Sequence, residues 1–138
     1  MKILLLVALV AASQAVEYRV TVKTADEKWA DSDGRFYAAI LGYKQYDVLD
    51  LGHIDNPRKD DFEKGQTDVF RFENSKDVGK IACVIIRTAS GSKDKWLIDT
   101  IQVDSTSDIY GFKAVNKGRV WLSADKTEGE FGLLFCRS

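Results

Sequence analysis

The sequence predicts an all-β protein, built as a sandwich of antiparallel strands. Apolar and polar residues alternate over short segments along most of the chain, as they do in strands that bury one face. Turn-forming pairs such as Asp33-Gly34 and Lys117-Gly118 separate these segments. After residue 15, no segment shows the period of about 3.6 residues expected of an amphipathic helix. Two packed sheets are the natural way for such strands to bury their apolar faces.

Eight segments have the pattern that strands require. In the first, EYRVTVK (residues 17–23), Tyr18, Val20 and Val22 share one face. The continuous β-branched run KIACVIIR (residues 80–87) is typical of a central strand. The other six are RFYAAIL (35–41), TDVFRFE (67–73), KWLIDTIQV (95–103), IYGFKAV (109–115), RVWLS (119–123) and EFGLLFC (130–136). The longest irregular stretch is residues 52–66, which is polar and charged.

The amino terminus has the composition of a secretory signal peptide. A positive start at Lys2 is followed by an apolar run over residues 3–12 and by the small residues Ser13 and Ala15. This pattern predicts a signal peptide over residues 1–15, a single domain over residues 16–138, and secretion. The alternative, a buried N-terminal helix, is disfavoured because strand alternation begins directly after residue 15.

Charge and cysteine content narrow the class of protein further. The formal net charge is −1, so no strongly basic surface points to a nucleic-acid partner. The two cysteines, Cys83 and Cys136, form no metal-binding spacing. An even number of cysteines in an oxidising compartment favours a disulfide between them. Two separate, small buried thiols are the alternative.

Catalytic motifs are absent from the sequence. It contains no nucleophile elbow, no phosphate-binding loop and no dinucleotide-binding glycine motif. His53 is the only histidine, and its neighbours match no nucleophile or metal pattern. The sequence therefore predicts a protein that is not an enzyme. A small lipid hydrolase that depends on His53 is the alternative from another class.

The segment ADEKWADSDGRF (residues 25–36) is the strongest candidate for a binding site. Its carboxylates Asp26, Asp31 and Asp33 are ligands of the type that Ca²⁺ prefers. The segment is not an EF-hand, because the further ligands and the closing glutamate are missing. The alternative is that these residues only form a turn between two strands.

Five segments, taken in order, resemble a known family. They are YRVTVKTADEKWADSDGRFYAAILG, DDFEKGQTDVFRF, DVGKIACVIIRT, GSKDKWLIDTIQV and FKAVNKGRVWL. Together they resemble the PLAT domain, also called the LH2 or lipoxygenase-homology domain, over about residues 18–122. The resemblance implies an eight-stranded antiparallel β-sandwich of two four-stranded sheets. It also implies a lipid- or protein-binding module in which calcium often binds at the loops of one end.

The resemblance assigns calcium, the candidate cofactor, to particular residues. Asp26 and Asp33 fall on positions that the family keeps acidic, and Asp31 lies between them. Thr88 and Ala89 stand where the family often carries an Asp-Asn pair, and these two residues are poor ligands. A calcium site would therefore use Asp26, Asp31 and Asp33 together with backbone carbonyl groups and water.

Aromatic residues suggest how a membrane would be contacted. Trp29 lies among charged residues in the loop, and an indole suits the membrane interface because it has an apolar ring and a polar N–H. Tyr43 and Tyr46 follow the next strand and are expected near the same end. The alternative for Trp29 is packing onto its own loop. Trp96 and Trp121 match family tryptophans in strand-like segments and are expected to be structural.

Two functions follow from these residues. The first is a secreted, non-catalytic module that binds a lipid surface or a lipid-associated protein through the loop bearing Trp29. The second is an extracellular protein-interaction or matrix module, which would use an exposed sheet face or residues 52–66. The sequence carries no prediction of the oligomeric state.

Overall fold

The computed structural model describes residues 15–43, 48–56, 59–89, 94–109 and 111–137. The predicted signal peptide therefore lies outside the described residues except for Ala15. Within these ranges every regular element is a β-strand, and none is a helix long and apolar enough to cross a membrane. The strands are β1 (Val16–Thr24), β2 (Phe36–Gly42), β3 (Val48–His53), β4 (Thr67–Asn74), β5 (Ile81–Thr88), β6 (Ile98–Ser105), β7 (Phe112–Val115) and β8 (Gly132–Cys136).

The strands form two four-stranded antiparallel sheets. One sheet has the order β4-β1-β6-β7, and we call it the first sheet; the second sheet has the order β3-β2-β5-β8. All six strand pairings are antiparallel. The predicted eight-stranded antiparallel β-sandwich of two four-stranded sheets is confirmed.

The core follows from the alternation in the sequence. Along β1, Tyr18, Val20 and Val22 are fully buried, while the residues between them are exposed or half-buried. The inner faces of the two sheets pack into one apolar cluster, as expected for stacked sheets. The largest fully buried side chains in this cluster are Trp96, Tyr18, Phe36, Phe70, Ile40, Ile54, Ile81, Ile86, Ile98, Ile101 and Leu122.

Two strand predictions are wrong. Residues 48–53 form β3, a strand that the sequence pattern does not predict. Leu49 is the only buried residue of this edge strand, which also contains Asp50 and Gly52, so its sequence resembles a loop. The segment RVWLS forms no strand; Leu122 makes only isolated bridges to Trp96 and Glu130.

The end of the sandwich that holds the β1–β2 loop is closed by Trp96. Its indole Nε1 donates a 2.9 Å hydrogen bond to Thr24 Oγ1, at the end of β1. Its ring centroid lies 4.6 Å from that of Phe36 in the other sheet and 4.4 Å from that of Phe62 in the β3–β4 loop. Trp96 and Leu122 also exchange two backbone hydrogen bonds. One buried side chain therefore connects both sheets with the loops at this end.

The two cysteines are joined in a disulfide that links β5 to β8. Cys83 and Cys136 lie directly opposite each other in the strand register. The bridge fastens the last strand to a central strand of the second sheet. The sequence-based expectation of a disulfide is confirmed.

Thr24→Val tests the closure at Trp96. The substitution keeps the shape of the fully buried Thr24 side chain but leaves the indole N–H without its acceptor. An unsatisfied buried donor costs about 1–3 kcal/mol, so we expect the free energy of unfolding in urea to fall by that amount. Thr21→Val is the matched control, because Thr21 is half-buried on the same strand and should change it by less than about 0.5 kcal/mol. Equal stability of the two variants would contradict the assigned role of this hydrogen bond.

Candidate functional site

The candidate site lies where the β1–β2 and β3–β4 loops meet, at the end of the sandwich closed by Trp96. The backbone N–H of Ser32 donates to Phe62 O at 3.1 Å, and the N–H of Thr24 donates to Gln66 O at 3.0 Å. These hydrogen bonds hold residues 25–35 against residues 59–66. Side chains that are far apart in sequence are thereby brought into one surface, which we call the loop end.

Trp29 is the most prominent residue of the loop end. Its side chain is 69% exposed, and Lys28 Nζ lies 5.2 Å from its ring centroid. The backbone N–H of Ala30 donates to Glu27 O at 3.0 Å, which closes a tight turn. Trp29 takes φ +69° in that turn, a left-handed conformation that glycine adopts without steric cost and that other residues adopt at a cost.

The turn that carries Trp29 stands on a small buried cluster. Ala25 and Ala30 flank the turn and pack with Leu97, and Trp121 lies half-buried against them. The N–H of Ala25 donates to Leu97 O, and the N–H of Leu97 donates to Ala30 O. Both ends of the turn are therefore held in place, and this turn carries the exposed indole. Trp96 is fully buried and Trp121 is half-buried, so both have packing roles, as expected.

An acidic cluster lies in the same surface. Carboxylate oxygens of Asp33, Asp60 and Glu63 all lie within 4.8 Å of one another. A hydrogen bond with Asp60 and the negative charges of Asp60, Asp31 and Asp33 raise the pKa of Glu63. The cluster thus holds carboxylates that repel one another, and a bound cation would relieve that repulsion.

The predicted metal ligands are only partly brought together. Asp33 belongs to the cluster, and Asp31 is close enough for its charge to act on Glu63. Asp26 does not belong to the cluster, and its side chain faces Gly65 instead. Beside the cluster lies a depression of about 460 Å³. It is lined by Trp29, Asp31, Ser32, Asp33, Asp94, Lys95 and Glu128.

Asp60 and Glu63 are the residues that the sequence analysis missed. Both lie in residues 52–66, which the sequence pattern offers only as a surface for the alternative protein-interaction module. Their density of acids, together with the rule that loops of antiparallel strands meet at the two ends of a sandwich, is the signal that could have identified them. The β1–β2 and β3–β4 loops must share an end, because two strands separate their starting points.

Two buried carboxylates shape the β3–β4 loop. Asp61 accepts hydrogen bonds from the backbone N–H and the side-chain amide of Asn56, at 2.7 and 3.0 Å, and burial raises its pKa. The fully buried Asp68 accepts from the N–H of Phe62 at 2.9 Å and lies 3.2 Å from Lys59 Nζ. Buried and bonded carboxylates hold a backbone in place. These hydrogen bonds therefore hold the loop in the conformation that positions Asp60 and Glu63.

The expectation that Tyr43 lies near Trp29 is wrong. Tyr43 follows the end of β2, whereas Trp29 precedes its start, and seven extended residues span about 20 Å. The Tyr43 side chain is 50% exposed, with Lys80 Nζ 5.2 Å from its ring centroid. Tyr46 lies outside the described residues. Trp29 is therefore the only one of the three predicted contact residues that the structure places at the loop end.

His53 does not join any cluster of catalytic type among the described residues. Its side chain is exposed at the end of β3, and its ring centroid lies 5.6 Å from that of Tyr37. The sequence prediction of no catalytic role stays a prediction for the protein as a whole.

The chain is thus a β-sandwich module whose candidate binding residues lie in the loops at one end. The sequence profile of the PLAT/LH2 domain matches residues 18–129. The chain belongs to the PLAT/LH2 family, whose domain is a non-catalytic module.

A relative is similar to this chain in sequence, and solved structures share its fold. Mouse lipoxygenase homology domain-containing protein 1 is 30% identical over 116 residues, which covers 81% of this chain and 5% of the mouse protein. The chain thus spans about one twentieth of that relative. The sandwich of coral 8R-lipoxygenase superposes with a TM-score of 0.68 at 21% identity, covering 87% of this chain and 16% of the coral chain. A calcium-dependent 11R-lipoxygenase gives a TM-score of 0.54 at 23% identity, covering 88% and 17%.

Substitution of Trp29 by glycine and by alanine tests the left-handed backbone. In ordinary strands and helices glycine is less stable than alanine by about 0.5–1 kcal/mol. At φ +69° the order should reverse, because alanine keeps the steric cost that glycine loses. We expect Trp29→Gly to be more stable than Trp29→Ala by about 1 kcal/mol in urea unfolding. A less stable glycine variant would show that the turn has a different backbone conformation.

Proposed function

We propose that this protein is a secreted PLAT/LH2 module that binds lipid surfaces through the loop end, with calcium held by the acidic cluster. The observation that carries the proposal is Trp29. A large aromatic side chain is 69% exposed there, on a backbone with φ +69°. Neither the exposed aromatic ring nor the left-handed backbone stabilises the fold. Backbone strain of this kind is commonly found at functional sites.

The chemistry of Trp29 suits a membrane interface. An indole combines an apolar ring with an N–H donor, and it prefers the headgroup region, where one side is apolar and the other is wet. Lys28 lies beside the ring and is placed to meet an anionic headgroup. Because the turn that carries the indole is held in place before binding, less conformational entropy is lost when the indole enters a bilayer.

The acidic cluster has the oxygen donors that a calcium ion requires. Ca²⁺ binds about six to eight oxygens at about 2.3–2.6 Å, so oxygens on opposite sides of one ion lie about 5 Å apart. Carboxylates of Asp33, Asp60 and Glu63 within 4.8 Å of one another fit this spacing. Backbone carbonyl groups and water would complete the shell. A bound calcium ion would supply positive charge that attracts lipid phosphates.

Calcium would also change the charge that the loop end presents to a membrane. Without a cation, Asp31, Asp33, Asp60 and Glu63 repel anionic lipid headgroups. With the cation bound, this repulsion falls and Trp29 can approach the interface. The coral 8R-lipoxygenase structure is described as showing calcium activation through a C2-like domain, and the 11R-lipoxygenase as calcium-dependent.

Secretion and the lack of catalysis belong to the same proposal. The apolar leader predicted over residues 1–15 supports secretion. So does the Cys83–Cys136 disulfide, because disulfides persist mainly in oxidising compartments. The non-catalytic character of the PLAT/LH2 domain supports a binding role.

Vesicle co-sedimentation tests the role of Trp29. Burying an aromatic side chain is worth about 1.5–3 kcal/mol, so Trp29→Gly should weaken binding to phosphatidylserine-containing vesicles by about tenfold or more in calcium. Tyr43→Ser is the matched control, since it removes an exposed aromatic from the other end and should leave binding unchanged. If the wild-type protein binds no vesicles with or without calcium, the protein-interaction module becomes the better account.

Calcium titration by calorimetry tests the acidic cluster. Calcium affinity depends on the number of charged ligands, so Asp33→Asn combined with Asp60→Asn should lower it by about tenfold or more. Asp26→Asn is the control, because Asp26 lies outside the cluster. The calcium affinity of this variant should stay within about threefold of the wild-type value. A loss in Asp26→Asn as large as in the double variant would favour the ligand set predicted from sequence. No heat of binding in wild-type protein would reject the calcium site.

A further inference from the structure

The four edge strands of the sandwich are protected to different degrees. Natural sheets discourage unwanted pairing at their edges with charged residues, bulges or very short strands. The edge strand β4 carries Asp68, Arg71 and Glu73, and β3 carries Asp50 and a register shift against β2. The edge strand β7 has only four residues, one of which is Lys113. The edge strand β8, Gly-Leu-Leu-Phe-Cys, has no charge and pairs with β5 without a register shift.

The free backbone groups of β8 can be read from its pairing with β5. The N–H of Arg137 donates to Ala82 O at 2.8 Å, and the N–H of Thr88 donates to Phe131 O at 3.0 Å. In an antiparallel pair, residues that bond the neighbouring strand alternate with residues whose backbone groups point away from it. The backbone groups that point away from β5 are those of Gly132, Leu134 and Cys136. Leu134 is also 64% exposed.

An open groove runs beside this free edge, between β8 and β7. Its volume is about 620 Å³. The N–H of Asn116 donates to Asp99 O at 2.9 Å, so the alternation in β7 directs the backbone groups of Lys113 and Val115 toward the groove. The apolar residues that line the groove are Ala114, Val115, Val120, Leu133, Leu134 and Phe135.

The charges around the groove are all positive. Its lining includes Lys113, Lys117 and Arg137 and no acidic residue. Arg137 is turned toward Ile81 O and Asp108. In the part of the chain that the structure describes, no ion pair joins Lys113 or Lys117 to an acid. A second copy of the chain would bring the same cations against one another, whereas an acidic partner would neutralise them.

The disulfide holds β8 in place before any partner binds. Cys136 lies in β8 and is bonded to Cys83 on the central strand β5. A strand that is fixed before binding loses little conformational entropy when another strand pairs with it.

We propose that β8 accepts an extended segment of a partner protein as a fifth strand of the second sheet, and that this segment alternates acidic and apolar residues. Backbone hydrogen bonds to Gly132, Leu134 and Cys136 would provide affinity. Carboxylates on one face of the segment would enter the groove and meet Lys113 and Lys117. The apolar side chains on its other face would pack beside the exposed Leu134. This groove shares no lining residue with the depression at Trp29, so the inference is independent of the proposed lipid binding.

The test uses two synthetic peptides and the full mature domain without calcium or vesicles. The acidic probe is a labelled peptide, Thr-Glu-Val-Glu-Val-Glu-Thr, and the control probe has lysine in place of each glutamate. We expect fluorescence anisotropy to show binding of the acidic peptide at least about tenfold tighter than that of the control. We also expect the amide hydrogens of Leu134 and Cys136 to exchange fast in the free domain and slowly with the acidic peptide.

Three variants test the edge and the charges separately. Leu134→Pro removes an N–H that β5 does not use, which an edge strand tolerates, and Leu134→Glu keeps that N–H but places a negative charge beside the acidic segment. Both should abolish binding. Val48→Glu is the matched control, because Val48 is a 54% exposed apolar residue on the opposite edge strand. Lys113→Glu combined with Lys117→Glu should reverse the preference, so that the lysine peptide binds better.

Several results would overturn the proposal. These are equal binding of both peptides, unchanged binding in Leu134→Glu, or slow exchange of the Leu134 amide in the free domain. Absence of binding of the acidic peptide at millimolar concentration would do the same. A concentration-dependent dimer that Leu134→Pro dissociates would assign this edge to a second copy of the chain.

Discussion

The contact of Trp96 with Thr24, Phe36 and Phe62 is the interaction on which the loop end depends. Trp96 is fully buried, and removing a buried tryptophan side chain typically costs about 3–5 kcal/mol. Its partners belong to the first sheet, the second sheet and the β3–β4 loop. Because one rigid ring contacts all three, the loops that extend beyond it are fixed relative to the sandwich and to one another.

Features that cost stability accumulate at this end. Trp29 and Phe62 take φ +69° and +64°, and the charges around Glu63 raise its pKa. An exposed indole and a group of mutually repelling carboxylates contribute little to folding. The packing of Trp96 and of Ala25, Ala30 and Leu97 offsets those costs. This combination of a stable base and a strained, charged surface is what a preorganised binding site requires.

The fold could be predicted further from the sequence than the site could. Alternation identified β1 because each of its apolar residues is buried, and it failed at β3, where Leu49 is the only buried residue. Asp60 and Glu63 lie about 30 residues from Asp33, so only the fold brings their carboxylates together. Tyr43 was assigned to the wrong end because one strand carries the chain from one end of the sandwich to the other. No feature of the sequence predicts the left-handed backbone conformation of Trp29.

In the proposed function, the packing around Trp96 holds Trp29 in position to enter a membrane interface. Quenching of tryptophan emission by brominated phospholipids, measured in a Trp121→Phe background, tests this role of Trp29 most directly. Trp96 is fully buried and serves as the internal reference that no lipid reaches. We expect bromines near the headgroups to quench part of the emission in calcium, and we expect Trp29→Gly to remove this quenching. Vesicle-bound protein whose emission is not quenched, or quenching that survives in Trp29→Gly, would contradict the account.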